Sequence, residues 1–213
     1  MLKSLTIILM FTFLSCGHDK KNSNKNNQNV TDTLAVKSHT EKNNSSTSWI
    51  NNFKDFRNAV YHGDKLKVKT FIDFPIYNDN NEIWYLTNGG NEKSLEMLND
   101  IVKPFPESEF DKYYNKIFTT TFIKSILKIK TEILVSKGYY ETIELKDKET
   151  AYKTYASFDK KTNILTLNLA YETPIIVNDG ENDIVENSEY NVIYYFEIKN
   201  NKELKFKQLR IAG

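Results

Sequence analysis

The sequence is poor in the residues that most site chemistry needs. One cysteine, Cys16, occurs among 213 residues. No disulfide can therefore close within the chain, and the folded part must be held by its core alone. The stretch beyond residue 48 is long enough to bury such a core. Of the three histidines only His62 lies beyond residue 48. Zinc sites built from Cys and His ligands are thereby nearly excluded. Ser-His-Asp and Cys-His catalysis would have to use His62, which falls in a helix-ending turn where a surface or capping role is expected. The glycines form no phosphate cradle, because Asn88-Gly89-Gly90-Asn91 lacks the lysine and spacing of one. Charge of either sign is not in excess: 29 basic residues face 28 acidic ones. Most of the imbalance sits in the first 48 residues, and the remainder is slightly acidic, which gives no footprint for nucleic acid.

Long hydrophobic runs are also missing. The longest, residues 5 to 14, is too short to cross a ~30 Å bilayer core as a helix. With Lys3 before it, residues 1–15 read as a signal peptide. The run ends in Phe13-Leu14-Ser15-Cys16-Gly17. That segment resembles a lipobox, with cleavage between Ser15 and Cys16 and lipidation of Cys16; Phe13 stands where a leucine is usual. Two or three acyl chains on Cys16 would anchor the protein durably to a membrane.

Residues 16–48 read as the lipidated cysteine and a disordered tether. Asn, Lys, Ser and Thr dominate there, and too little apolar surface is present to offset the entropy of ordering. Such a coil spans roughly 30 Å on average and about 105 Å stretched. The residues after Cys16, with Asp19 followed by Lys20-Lys21, leave the periplasmic and surface faces of an outer membrane both open. Asp32-Thr33-Leu34 resembles a short Bacteroidetes O-glycosylation motif centred on Thr33.

The folded part is expected at 49–213 as a single α+β domain. Ser48 suits the N-cap of a helix from Trp49, with Trp49, Phe53, Phe56 and Val60 on one face. Asn51, Asn52, Lys54, Asp55, Arg57 and Asn58 make the other face. Gly63 suits the left-handed position that ends it. Asp64 caps a second helix carrying Leu66, Val68, Phe71 and Ile72, which runs until Pro75 stops it. Residues 83 to 86 read as a short strand. A helix from Ser94, carrying Leu95, Leu98, Ile101 and Val102, is closed by Pro104 and Pro106. A further helix is expected from 107 to about 130 with Phe110, Tyr114, Ile117 and Thr121 on one stripe.

From Tyr139 the period changes to two. Strands are expected at 139 to 145, 151 to 158, 164 to 171, 192 to 198 and from 204 onward. Leu165, Leu167, Leu169 and Tyr171 share a face, as do Val192, Tyr194, Phe196 and Ile198. Asn200-Asn201 makes a tight turn. The apolar phase slips between Phe206 and Leu209, which predicts a β-bulge near Lys207-Gln208. Helices first and hairpin-linked strands afterwards read as N-terminal helices packed on a curved antiparallel sheet of four to six strands.

The segment Trp49…Phe53…Phe56…Ala59-Val60…Asp64-Lys65…Val68…Phe71-Ile72-Asp73-Phe74-Pro75-Ile76 resembles the opening of small Bacteroidetes envelope lipoproteins. The resemblance implies a cystatin / nuclear-transport-factor-like cone and an envelope location. It implies no activity, because that fold hosts many.

Candidate chemistry is sparse. Asn178 to Asp183 with Glu186, and Asn78 to Glu82, are acid- and amide-rich enough to be weighed for calcium, although neither has EF-hand spacing. Asn168, Tyr195 and Glu197 share a mixed sheet face, where a carboxylate beside tyrosines can act as a base if buried. No cofactor is expected and no catalytic motif is found. The expected role is a lipid-anchored, non-enzymatic envelope module that binds a protein, peptide or glycan. Two alternatives remain: an immunity or inhibitor lipoprotein, and a small-ligand carrier or cofactor-independent enzyme using a hollow at the sheet.

Overall fold

The computed structural model of the chain describes residues 48–89, 101–178 and 183–213, with no side chain given for Asp183. Ser15, Cys16, Thr33 and the helix expected from Ser94 to residue 100 lie outside the described residues. Those described belong to one compact unit, 44–213. It is α+β: six helices precede a six-stranded antiparallel open sheet among the described residues.

The first helix, α1 (Trp49–His62), buries Trp49, Phe53, Phe56, Ala59 and Val60. These are the positions that a 3.6-residue period brings to one side. Gly63 ends it at φ +65°, and the Asp64 N–H returns to the Ala59 carbonyl at 2.9 Å. Ser48 occupies the N-cap position, but its side chain makes no cap hydrogen bond. The start is fixed instead by the sheet, because the Trp49 N–H donates to the Asn201 carbonyl at 3.1 Å. Arg57 also departs from expectation. It is half-buried, donates to the carbonyls of Ile129 (2.9 Å) and Ile126 (3.4 Å) and to the Thr131 hydroxyl (3.0 Å), and lies over the Phe53 ring. Burial draws its pKa below the usual guanidinium value.

Asp64 caps α2 (Lys65–Lys69), accepting from the Lys67 N–H. This helix is shorter than expected and leaves Leu66 exposed. Its continuation is captured by the sheet: the Phe71 carbonyl accepts from the Phe206 N–H at 2.7 Å, and Ile72 bridges Phe206. The strand expected at 83 to 86 is a helix, α3 (Glu82–Thr87). Ile83 and Trp84 are buried, with the Trp84 indole N–H on the Lys103 carbonyl and its ring against Phe105. Ile101 and Val102 are exposed and not helical.

The long helix expected from 107 is three: α4 (Glu107–Ile117), α5 (Thr120–Ile126) and α6 (Thr131–Lys137). Phe118 leaves helical geometry at ψ 80° and packs its ring among Phe56, Phe122 and Phe206. Thr119 then restarts the chain as an N-cap, accepting from the Phe122 N–H. Arg57 holds the second break.

In the sheet, β1 (Tyr139–Glu141) and β2 (Leu145–Asp147) share one edge of β3 (Thr150–Asp159). The single strand expected at 139 to 145 is divided because the Thr142 hydroxyl accepts the Thr154 N–H, a ladder bond made by a side chain. The order continues through β4 (Ile164–Asn178), β5 (Asp183–Lys199) and β6 (Glu203–Ala212). Asn200 and Asn201 both take positive φ, as the turn requires. The expected bulge is present: Tyr195 pairs Gln208 and Phe196 pairs Phe206, which leaves Lys207 without a partner in the ladder.

The sheet's inner face carries the predicted residues, all buried from Leu165 to Tyr171 and from Val192 to Ile198 on alternate positions. Phe56 centres the core, with ring centroids of Phe196, Phe118 and Phe71 at 5.1, 5.6 and 5.6 Å. Beyond the last β3 and β6 pairings, Ala151↔Glu172 and Asn191↔Ala212, β4 and β5 continue alone as a two-stranded arm. This arm was not legible as strand, because its apolar residues are consecutive and do not alternate.

Candidate functional site

The interior between helices and sheet is largely filled by aromatic rings, and a depression of about 570 Å³ opens at its edge, between Thr119 and Thr121 on the helix side and Tyr171, Thr173 and Tyr190 of the sheet. The sheet's outer face is open. Pairing register sets its rows: Ser157↔Thr166, Thr166↔Tyr195 and Tyr195↔Gln208 form one, with Tyr155, Asn168, Ile193 and Arg210 alongside. A depression of about 770 Å³ lies over the first row. Its far wall is the segment after α2, where Asp73, Pro75 and the largely exposed Tyr77 stand beyond β6.

Three carboxylates line it, and each is already engaged. Asp73 accepts from Lys199 at 2.5 Å and faces Lys205 at 3.4 Å. The hydrogen bond from Lys199 holds the Asp73 carboxyl below its ordinary range and raises Lys199. Asp159 closes its own turn, accepting from the Lys161 N–H at 2.8 Å and the Thr162 hydroxyl at 2.9 Å, and the first of these lowers its pKa. Glu197 pairs Lys207 at 3.3 Å, with its side chain 37% exposed. It is therefore not the buried carboxylate that a proton-transfer base would need.

The neutral groups are uncommitted. Ser157, Thr166, Tyr195 and Gln208 make no side-chain hydrogen bond among the described residues. Beside them the Asn168 Oδ1 is buried without a partner. A buried acceptor left unsatisfied costs about 1–3 kcal/mol, but Asn168 lies in the neighbouring row and does not line the depression. The depression thus combines hydroxyls, the Gln208 amide and Tyr195 with two ion-paired carboxylates, Asp73 and Glu197, and with Asp159 held in its own turn.

His62 is exposed at the end of α1, edge-on to Tyr61. The Asn78–Glu82 loop spends most of its polar atoms on the protein, with Asp79 paired to Arg210 and the buried Asn78 Oδ1 left without a partner. Asn78 Nδ2 donates to the Leu209 carbonyl, the Asn81 amide spans Ile101 and Lys103, and Glu82 accepts from the Asn80 N–H. Side chains 179 to 183 lie outside the described residues, and Glu186 is exposed on the arm. No group of three or more His, Cys, Asp or Glu is arranged for a metal among the described residues. No helix there is long and apolar enough to cross a membrane. Sequence reasoning named Asn168, Tyr195 and Glu197. It missed Ser157, Thr166 and Gln208, whose signal was their outward phase on strands that were recognised. It also missed Asp73 and Tyr77, which reach the site only through tertiary folding.

No family model, curated protein or solved structure matches the chain.

Proposed function

We propose that the protein is a lipid-anchored envelope module, tethered through Cys16, that binds a glycan on the outer face of its sheet. The observation that carries this reading is the uncommitted row Ser157, Thr166, Tyr195 and Gln208 among ion-paired neighbours. Sugars present hydroxyls to such donors and acceptors and a C–H face to an aromatic ring. A strongly charged ligand would instead have to displace the ion pairs of Asp73 and Glu197. The same arrangement supports binding over catalysis, since no carboxylate of the site is left unpaired to move a proton. The cone geometry proposed for this fold is supported by the bulge at Lys207, because bulges bend strands and so curl a sheet.

Two measurements test it. A glycan array probed with the full chain and with Thr166→Arg should show binding that the arginine abolishes; binding indifferent to Thr166→Arg rejects the site. Labelling of cells with a radioactive or clickable fatty acid should mark the native chain and not Cys16→Ala; equal labelling rejects the anchor.

A further inference from the structure

The β4–β5 arm has features that its own fold leaves unused. Ile176 and Val185 pair across it on one side, while Ile175, Val177 and Ile184 lie on the other. Four of these five are exposed, Ile176 by 73% and Val185 by 69%. The arm is also acidic without relief, since no lysine or arginine occurs from Thr162 to Ile198. Glu172 stands directly opposite Glu189 in the pairing register. Like charges so placed are destabilising; among the described residues Glu172 accepts from the Asn187 amide alone and has no ion-pair partner. Neither Glu186 nor Glu189 has an ion-pair partner among the described residues. The last aromatic contact with the body is Tyr171 stacked on Tyr190 at 4.5 Å; beyond it the apolar residues are uncovered.

A matching surface exists elsewhere on the same chain. From Lys112 to Thr131 the sequence holds five lysines and no acid. On α5 and the turn after it, Lys124, Leu127 and Lys128 are exposed at helical spacing, followed by exposed Lys130. None of these lysines has an ion-pair partner among the described residues. One surface is apolar and acidic, the other apolar and basic, and neither is satisfied within the monomer.

We propose that the arm of one molecule docks on the α5 surface of a second copy. Leu127 of one copy and the more exposed pair, Ile176 and Val185, of the other supply the apolar centre. Glu172 and Glu189, on the same side of the arm as Ile176 and Val185, meet Lys124 and Lys128 at its rim, where opposite charges fix register and speed encounter. A twofold-related pair would use each surface once per molecule and close. An anionic lipid surface is disfavoured as occupant by the arm's own charge. This inference goes beyond the glycan reading and does not depend on it.

The test places a photo-activatable benzoylphenylalanine at position 176 of the full chain in intact cells. Position 176 is exposed, so the fold should tolerate it, and far-UV circular dichroism checks that. Irradiation should give a dimer-sized adduct whose cross-link maps within residues 112–131. Glu172→Lys with Glu189→Lys should reduce the adduct by about an order of magnitude. Adding Lys124→Glu and Lys128→Glu to the same chain should restore it. An adduct to a different protein, an adduct to lipid, a cross-link outside 112–131, failure of the restoring pair, or no adduct overturns the proposal.

Discussion

Strands β4 and β5 pair in one unbroken register from Ile164↔Glu197 to Asn178↔Asp183, yet they are two different objects along that length. In the root, Leu165, Leu167, Leu169, Val192, Tyr194 and Phe196 are buried against helices. In the arm, Ile175, Ile176, Ile184 and Val185 stay exposed, Ile176 by 73% and Val185 by 69%, and no helix among the described residues covers them. Backbone pairing is the same in both, so the hydrogen-bond ladder does not distinguish them. What differs is whether a third layer covers the side chains. An isolated two-stranded hairpin is marginal in water; the root is stable because α1 and the 118–122 turn lie on it, and the arm persists as its extension.

The sharpest way to test that contrast is to remove side chains from each half. Phe56→Ala empties the centre of the root and should destabilise by about 3–5 kcal/mol. Ile176→Ala in the arm should change stability by less than about 0.5 kcal/mol. Denaturant midpoints at constant slope measure both, and comparable losses would break the distinction. Next in size is Arg57→Met. It strips the carbonyls of Ile126 and Ile129 and the Thr131 hydroxyl of their donor, and should cost about 1.5–3 kcal/mol. Gly63→Ala should cost about 1–2 kcal/mol, since φ +65° is strained for any residue with a Cβ; thermal melting suffices to read it.

Two pH effects are smaller and also belong to the root. Burial, with the Asp64 charge adding to it, pushes the Tyr114 phenol up to about 12, and its hydroxyl donates to the Val60 carbonyl at 3.2 Å. The raised value means that its contribution is complete below the ordinary phenol range and is lost as pH rises through about 12. Alkaline melting of Tyr114→Phe should therefore fall less steeply than that of the native chain. Asp73 has the opposite sign. Its lowered carboxyl stabilises above the ordinary carboxylate range, and that is lost as pH falls through its own lower value. Asp73→Asn should flatten the acid limb slightly, because the pair with Lys199 is exposed to solvent.

The same contrast explains how far the sequence could be read. Leu165 to Tyr171 and Val192 to Ile198 alternate because one side is covered, and the bulge at Lys207 showed as a slip in that alternation. Gly63, Asp64 and the Asn200-Asn201 turn were legible because their conformations are set locally. Three features were not. Trp84 belongs to a helix because Lys103 and Phe105 receive it, and neither contact has a local signature. Phe118 interrupts a helix because distant rings hold its side chain. Ile175-Ile176-Val177 form a strand with no covered side, so no period marks them. Of the candidate site, Asn168, Tyr195 and Glu197 could be placed on one face from phase alone. That Glu197 is neutralised by Lys207 follows from the bulge, and that Tyr77 faces them follows from the capture of Ile72 by β6.

The central claim is that the root carries the fold while the arm's apolar surface is left for association. Hydrogen exchange on the full chain carrying Ile176→Glu, which removes arm docking, tests it most directly. Root amides from 165 to 169 and 192 to 196 should exchange only through global unfolding. Arm amides at 175 to 177 and 184 to 186 should exchange through local opening, faster by several orders of magnitude. Equal protection of root and arm in that variant would mean that the arm is held by its own fold, and would contradict the account.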